Sequence, residues 1–290
     1  MKDFRIGYLY SLAPIHCGGE GDLGNILEIT REAHTNFPYI PGSSLRGSLR
    51  DELLQYQGKE VSDRLFGREL STDNQMGVHQ VWFGDARLLW VPMRTLSLQG
   101  RDVFSWVSCH SLIRDHGILS RQPKAIFPEH AVGSRAGTYT VADATVEVKK
   151  LSLEQATALD FSGTWCQDLG KPTHTNWQEN RIVLPDDDFQ VLMEHSLWTQ
   201  IRNKIDEQSG SADVFWTDVC IPRDTIFYYG WGYAVQKSNP VSADDSQAMN
   251  EVLNGLIQVG GQANVGRGWV QSWTTKQTAH TVKTLVNQEV

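Results

Sequence analysis

The sequence predicts an α+β chain, and three observations carry that reading. Phe4 to Leu12 sets Phe4, Ile6, Tyr8 and Tyr10 in alternation with Arg5, Gly7, Leu9 and Ser11, the period of a strand. From Ser43 the period changes, and Leu45, Leu49, Leu53 and Leu54 recur at helical spacing to about Gln55. Late in the chain a strand is again followed by a helix. Asp224 to Val235 (DTIFYYGWGYAV) is the most strand-like run present, and a helix is expected from about Asp245 to Ile257.

The stretches between these elements read as follows. Cys17 to Gly24 holds four glycines in eight residues, which makes a regular element there improbable. Pro38 and Pro41 frame a short extended piece that leads to Ser43 or Ser44, either of which can cap the helix. Val78 to Pro92 reads as strand with a break at Gly84-Asp85. Val103 to Arg114 suits a short helix or a strand, and Tyr139 to Val148 alternates as a strand. Gly163 to Arg181 has few aliphatics and reads as loop. Asp186, Asp187 and Asp188 open a helix over Phe189 to Trp198, where first-turn carboxylates complement the helix dipole. Thr199 to Ile205 and Ala212 to Trp216 flank the polar turn Asp206 to Gly210 and suggest a long hairpin. A glycine-rich turn, Gly260 to Gly268, precedes a last strand from Trp269.

Composition narrows the function classes. A chain of 290 residues with 40% hydrophobic content can bury a sizeable core. No stretch approaches the roughly 20 apolar residues of a membrane helix, and the N-terminus carries Asp3 and Arg5 where a signal peptide would be apolar. The chain reads as cytosolic. Cys17, Cys109, Cys166 and Cys220 lie far apart, so free thiols are expected rather than a zinc site or a disulfide framework. The histidines form no metal-binding pattern. A net charge of −8 argues against a surface that binds nucleic acid everywhere, while leaving room for one basic groove.

Two segments can bind an anion. In the first, Arg31 to Arg50, a Pro-Gly turn delivers the chain into a helix start. Unpaired N–H groups and the positive end of the dipole favour an anion there. Ser43 and Ser44 add hydroxyls. Arg46 and Arg50, four apart, project from one helix face, and Gly47 leaves room for a backbone to approach. An ordinary capped helix with two solvated arginines has the same residues. The second segment is Gly260 to Gly268, where glycines permit close approach and Arg267 can meet a phosphate. A helix C-cap and tight turn accounts for it equally well.

Together the two segments resemble the RAMP superfamily of CRISPR-associated proteins. The match is R-E-x-x-T-x-x-P-x-I-P-G-S-S-L-R-G-x-L-R near the N-terminus with a late G-G-x-x-x-V-G-R-G. More narrowly the chain looks like the backbone subunit of a type III-B (Cmr) effector. Leu65-Phe66-Gly67 follows the arginine helix as in that family. Phe215 to Tyr228 resembles its L-W-x-E-E-x-L-P-x-x-T-x-F-Y stretch, with Asp218 in place of a glutamate.

The resemblance implies one RAMP domain over residues 1–290. Its α+β fold would be an RRM-like (ferredoxin-type) core with large insertions and a β-hairpin thumb at about 199–217. It implies partners too: CRISPR RNA, single-stranded target RNA, further copies of the chain in a helical filament and other type III effector subunits, with no membrane. Arg31, His34, Ser43, Ser44, Arg46 and Arg50 would contact the guide, with Gly261 and Arg267 approaching it from the glycine loop. No stably bound cofactor is implied, and a divalent metal only where target slicing is retained.

Slicing in the family uses an aspartate in a pattern like G-x-x-D-x-P-I-x-R-E, on the loop before the R-E motif. Five positions before Arg31 this chain has Ile26, and Asn25 beside it has an amide that neither ionises nor takes a proton. Asp22, between Gly21 and Gly24, is the freer substitute; Glu28 is a candidate partner of Arg31. Slicing is therefore expected to be weak or absent. Three other readings remain: a guide-processing endoribonuclease using His16 or His34, a sister RAMP subunit, and a small-molecule enzyme with two phosphate-gripping loops.

Overall fold

Arg5–Ser11 (β1) lies inside a 12-stranded sheet, and its neighbours explain its composition. The computed structural model describes residues 3–18, 25–67, 79–97, 104–121, 127–159, 177–205, 212–234 and 240–275. After β1 come β2 (Ile26–Leu27), β3 (Tyr39–Ile40), α1 (Gly42–Gln57) and α2 (Lys59–Phe66). The middle of the chain holds β4 (Val81–Phe83), β5 (Ala86–Ser97), β6 (Phe104–Cys109) and α3 (His110–Ser120). It continues through β7 (Val132–Gly133), β8 (Gly137–Val141), β9 (Ala144–Lys150) and α4 (Leu153–Ala158). The last part runs β10 (Arg181–Leu184), α5 (Asp186–Ser196), β11 (Trp198–Ile205) and β12 (Ala212–Cys220). It ends with β13 (Ile226–Tyr233), α6 (Ala243–Leu253), β14 (Leu256–Gln258) and β15 (Trp269–Thr274).

The large sheet runs β14-β15-β1-β13-β5-β6-β10-β7-β9-β8, with β3 added to β5 and β4 to β13. β15, β1, β13 and β5 are antiparallel to one another in turn. α1 lies on the connection from β1 to β5 and α6 on that from β13 to β15. β5 is long enough to serve two layers. Its first half pairs with β13, while Thr95 to Ser97 pair with β8 and close that end of the sheet into a barrel-like ring. A closed ring leaves no free strand edge there.

β1 is buried on both faces because a hydrophobic cluster packs against each. Ile6, Tyr8 and Tyr10 join Trp90, Trp106, Trp177 and Tyr228 in one core cluster. Leu9 joins Leu45, Leu49 and Leu53 of α1 in the other. Gly7 is required by its neighbour, since a Cβ there would lie 2.3 Å from the Tyr229 ring. Cys17, Cys109 and Cys220 are buried free thiols; Cys166 lies outside the described residues. No helix among the described residues is long and apolar enough to cross a membrane.

Several expectations need correction. Neither Ser43 nor Ser44 caps α1: Pro41 holds the N-cap position, and the Gly42 N–H donates to Asp85 Oδ1 at 2.7 Å. The Gly84-Asp85 break between β4 and β5 thus supplies the cap. The segment Val103 to Arg114 is both things in turn, β6 and then the start of α3. The alternation of Tyr139 to Val148 spans β8 and β9, because the two residues Ala142-Asp143 turn the chain without disturbing the period. The helix expected to reach Ile257 stops at Leu253, and Ile257 belongs to β14. Of the Gly163 to Arg181 stretch, residues 163–176 lie outside the described residues; Trp177 is buried and Arg181 opens β10.

Candidate nucleic-acid interface

The sequence-predicted residues fall into three places. The first is a turn. Arg31 bridges to Pro38, Glu32 N–H donates to the Phe37 carbonyl at 2.9 Å, and Asn36 takes φ 61° to close the loop. Arg31 is spent on structure: its guanidinium donates to Glu194 of α5 at 2.7 Å and lies 3.6 Å from Glu28. His34 stands exposed at the tip. Beside it a cavity of about 250 Å³ is lined by Arg87, Ser111, Arg114, Asp115 and Gln190 among others. Arg87 is held there by Glu32 at 2.9 Å and Asp115 at 3.0 Å.

The second place is the start of α1. With Gly42 N–H given to Asp85 and Leu45 N–H to the Pro41 carbonyl at 3.0 Å, the N–H and hydroxyl groups of Ser43 and Ser44 have no partner among the described residues. Ser43 is exposed and Ser44 half-buried. One turn on, Arg46 lies over the Phe66 ring at 5.4 Å and donates to the Phe66 carbonyl. Burial, and then the neighbouring charge of Arg50, lower its pKa, yet no carboxylate partners it among the described residues. Arg50 sits 3.5 Å from Asp63, a carboxylate that Lys59 shares at 3.1 Å. With Arg46 unmatched by a carboxylate, the start of α1 carries surplus positive charge. Nothing lies within 4 Å of a Cβ built on Gly47, so the helix surface beside Arg46 is open.

The third place is the root of the β11–β12 hairpin. Trp198 to Lys204 pair with Cys220 to Val214, and β2 extends this small sheet along β12. Arg267 is held by protein groups. Only 4% exposed, it donates to Asp218 at 2.9 Å and Gln200 at 2.8 Å, and it lies 5.1 Å over the Trp198 ring. Arg202, stacked on Trp216 at 5.3 Å, reaches the same Asp218 at 3.2 Å. Burial opposes ionisation of Asp218, but Arg202, Arg267 and Gln262 outweigh it and hold the carboxyl below its ordinary range.

Gly261 N–H donates to the His16 carbonyl at 2.7 Å, and a Cβ at Gly260 (φ +80°) would lie 2.5 Å from that oxygen. His16 is buried, its Nδ1 2.8 Å from the Val219 carbonyl. The glycine loop, the segment before residue 19 and the hairpin are thus fastened together.

The ends of the loop that carries Asp22 are fixed on this assembly. Thr30 N–H donates to the Cys17 carbonyl at 2.8 Å, and Thr217 N–H to that of Asn25 at 2.7 Å. Asp22 itself lies outside the described residues. Among the described residues no three His, Cys, Asp or Glu side chains group as metal ligands. Two features escaped sequence reasoning. One is Asp85 as a cap, whose only signal is its place in a strand break. The other is the Arg202–Asp218–Arg267 cluster, whose members are 16 or more residues apart.

A barrel-like α+β fold with an open helix start, a glycine loop and a hairpin rooted on it defines a class. The chain belongs to the RAMP superfamily, whose model matches residues 8–271. It is 28% identical to the CRISPR system Cmr endoribonuclease Cmr4 of Pyrococcus furiosus, over 93% of this chain and 95% of that one. Its fold matches a subunit of the type III-B Cmr-beta complex bound to cognate target RNA (TM-score 0.73, 18% identity, 93% and 96% of the two chains). It also matches Cmr4 from Pyrococcus furiosus in its oligomeric crystal structure (TM-score 0.68, 22% identity, 96% and 100% covered).

Proposed function

We propose that this chain is the guide-RNA-binding backbone subunit of a type III-B CRISPR effector, stacking in several copies along one guide and holding the guide–target duplex. The observation that carries this reading is the start of α1. The partnerless N–H and hydroxyl groups of Ser43 and Ser44 are donors available to an anion, with Arg46 and Arg50 alongside. Such groups read phosphate and sugar and carry no sequence preference, as a subunit serving every guide requires. The full-length relative from Pyrococcus furiosus, named Cmr4, supports the assignment.

In this reading the core is RRM-like. Its support is the strand order β15-β1-β13-β5, antiparallel throughout, with α1 and α6 contributing to one hydrophobic cluster. The β11–β12 hairpin is the thumb. Its outer face carries Ile201 and Phe215, 73% and 52% exposed, and Ile26 of β2 pairs alongside at Thr217. Arg267 then acts by fixing the thumb to the glycine loop rather than by touching RNA.

The Pyrococcus relative is named an endoribonuclease. For the present chain slicing is proposed to be weak or absent. Transfer of the target's 2′-hydroxyl proton needs a general base, a carboxylate in the family's pattern, and Glu28 is engaged by Arg31. Asp22 is the remaining candidate on that loop.

The experiment is binding of the purified chain to two guides of unrelated sequence across a salt series. Equal affinities that weaken linearly on a log–log salt plot are expected. A strong preference for one sequence, or no binding at all, overturns the reading. A matched target added to the assembled complex, with and without divalent metal, then reports slicing. Evenly spaced cuts abolished by Asp22→Asn would replace the slicing-defective reading.

A further inference from the structure

Intrinsic preference and structure disagree about where α1 begins. Serine is among the residues favoured at an N-cap, so Ser43 or Ser44 left to itself would start the helix. The structure starts it earlier. The Pro41 carbonyl accepts the first helical bond, from Leu45 N–H at 3.0 Å, and Pro41 makes no side-chain cap. Gly42, Ser43 and Ser44 are therefore the first three residues of the first turn, and their N–H groups have no acceptor within the helix.

The strand break between β4 and β5 holds the start in that place. Asp85 Oδ1 accepts the Gly42 N–H at 2.7 Å. A Cβ on Gly42 would lie 2.9 Å from the Gly84 carbonyl carbon and 3.0 Å from the Phe83 carbonyl oxygen, so the two backbones touch and only glycine fits. Gly84 N–H in turn donates to the Gly230 carbonyl of β13 at 2.8 Å. A chain of contacts thus runs from the sheet through Gly84, Asp85 and Gly42 to the first turn. In consequence neither serine is used as a cap. At the second and third helical positions each keeps its N–H and its hydroxyl without a partner among the described residues. A serine at the N-cap would instead turn its hydroxyl onto the helix's own N–H groups, and its own N–H would lie outside the turn.

We propose that Asp85 is a positioning residue for the contact with the guide's phosphodiester backbone: it fixes where α1 begins and so keeps Ser43 and Ser44 free for the RNA. It acts through Gly42 and touches no RNA itself. The inference rests on the backbone-subunit reading. The acceptor oxygen carries this role and the charge does not, because a carboxylate beside the first turn opposes a phosphate there. Asparagine keeps that oxygen and lacks the charge, whereas alanine lacks both.

The test compares Asp85→Ala with Asp85→Asn in the full chain, each made alone and together with Ser43→Ala/Ser44→Ala. Guide affinity is read by filter binding at a temperature where the melting curves show every variant folded. Asp85→Ala is expected to bind guide about fivefold more weakly or worse, the weight of one hydrogen bond. Asp85→Asn is expected to bind as well as the parent or more tightly. Thermal melting reads the helix start. In the parent and in Asp85→Asn, removing both serines leaves the melting temperature unchanged or slightly raised, because alanine is the better helix former. In Asp85→Ala the same removal lowers it, because a serine has become the cap. Guide affinity that survives Asp85→Ala overturns the proposal. An equal loss in Asp85→Asn also overturns it, by assigning the effect to charge, and so does a serine effect that is the same in all three backgrounds. A parent chain that binds no guide overturns the backbone-subunit reading instead, and the parent alone shows it, so the two failures are told apart.

Discussion

Arg267 and Asp218 form an ion pair at 2.9 Å, with Asp218 fully buried and Arg267 nearly so, joining the glycine loop to the base of the hairpin. Removing one partner strands a buried charge, which costs about 3–5 kcal/mol. Asp218→Leu, which strands Arg267, is expected to lower the unfolding free energy from urea titration by that amount, and Arg267→Leu by less, because Arg202 still reaches Asp218. The double substitution should recover part of it, because the only charge then left unpaired, Arg202, is partly exposed. Arg267→Lys should fall between, since an ammonium cannot reproduce the fork that reaches Asp218 and Gln200 together. Losses that simply add in the double variant would show that the two residues are not coupled.

This pair also marks the limit of what the sequence makes legible. α1 is written in Leu45, Leu49 and Leu53, all buried as their spacing requires, and Asp186 to Asp188 do open α5. Those signals are local, governed by a helix period or a dipole. The destination of Arg267 is not local: its partners Gln200 and Asp218 sit on strands 67 and 49 residues earlier in the chain, 267 minus 200 and 267 minus 218. The cap of α1 escapes for the same reason, because Asp85 is 43 residues from Gly42. Alternation misleads at Ala142-Asp143, where a two-residue turn preserves the period while reversing the chain. The pairing of Arg31 with Glu194 across the fold, 163 residues away, is equally out of reach of the sequence.

The start of α1 permits a substitution that separates RNA binding from folding. A carboxylate in the first turn of a helix stabilises it by about 0.3–1 kcal/mol, yet it opposes a phosphate at the same place. Ser43→Asp is therefore expected to leave the melting temperature unchanged or slightly raised while guide affinity falls at least tenfold. Ser43→Ala should weaken binding less, by removing one hydroxyl without adding charge. If Ser43→Asp binds guide as well as the parent, phosphate does not dock at this helix start.

His116 of α3 gives the molecule an acid-sensitive joint. Its Nε2 lies 2.9 Å from the Tyr8 hydroxyl, and burial lowers its pKa from 6.5 to about 4. The folded state therefore binds the proton more weakly than the unfolded chain. The stability linked to this group is fully present above pH 6.5 and is lost as pH falls toward about 4, a loss of about 3 kcal/mol at most. Urea midpoints at pH 7.5, 6 and 4.5 should decline in the parent. His116→Asn is expected to be less stable at pH 7.5 but flatter across this window. An equally steep decline in the variant would place the acid sensitivity elsewhere.

The hairpin offers the sharpest separation of structure from function. Ile201 and Phe215 lie on the face opposite the Arg202–Asp218–Arg267 cluster, since Ile201 pairs with Thr217 and Arg202 with Trp216. Being exposed, they contribute little to the fold, and Ile201→Ser with Phe215→Ser should shift stability by no more than about 0.5 kcal/mol each. An apolar face held out on a rigid root is suited to packing against unstacked bases, a contact worth about 1–3 kcal/mol per base for an aromatic side chain. The double substitution is therefore expected to weaken target RNA capture by the guide-loaded complex about tenfold or more, with guide binding itself retained. Arg202→Ala on the other face should act differently, loosening the root and lowering the melting temperature together with capture. Target capture unchanged by the Ile201 and Phe215 substitutions would mean that the duplex meets the hairpin along its charged face instead.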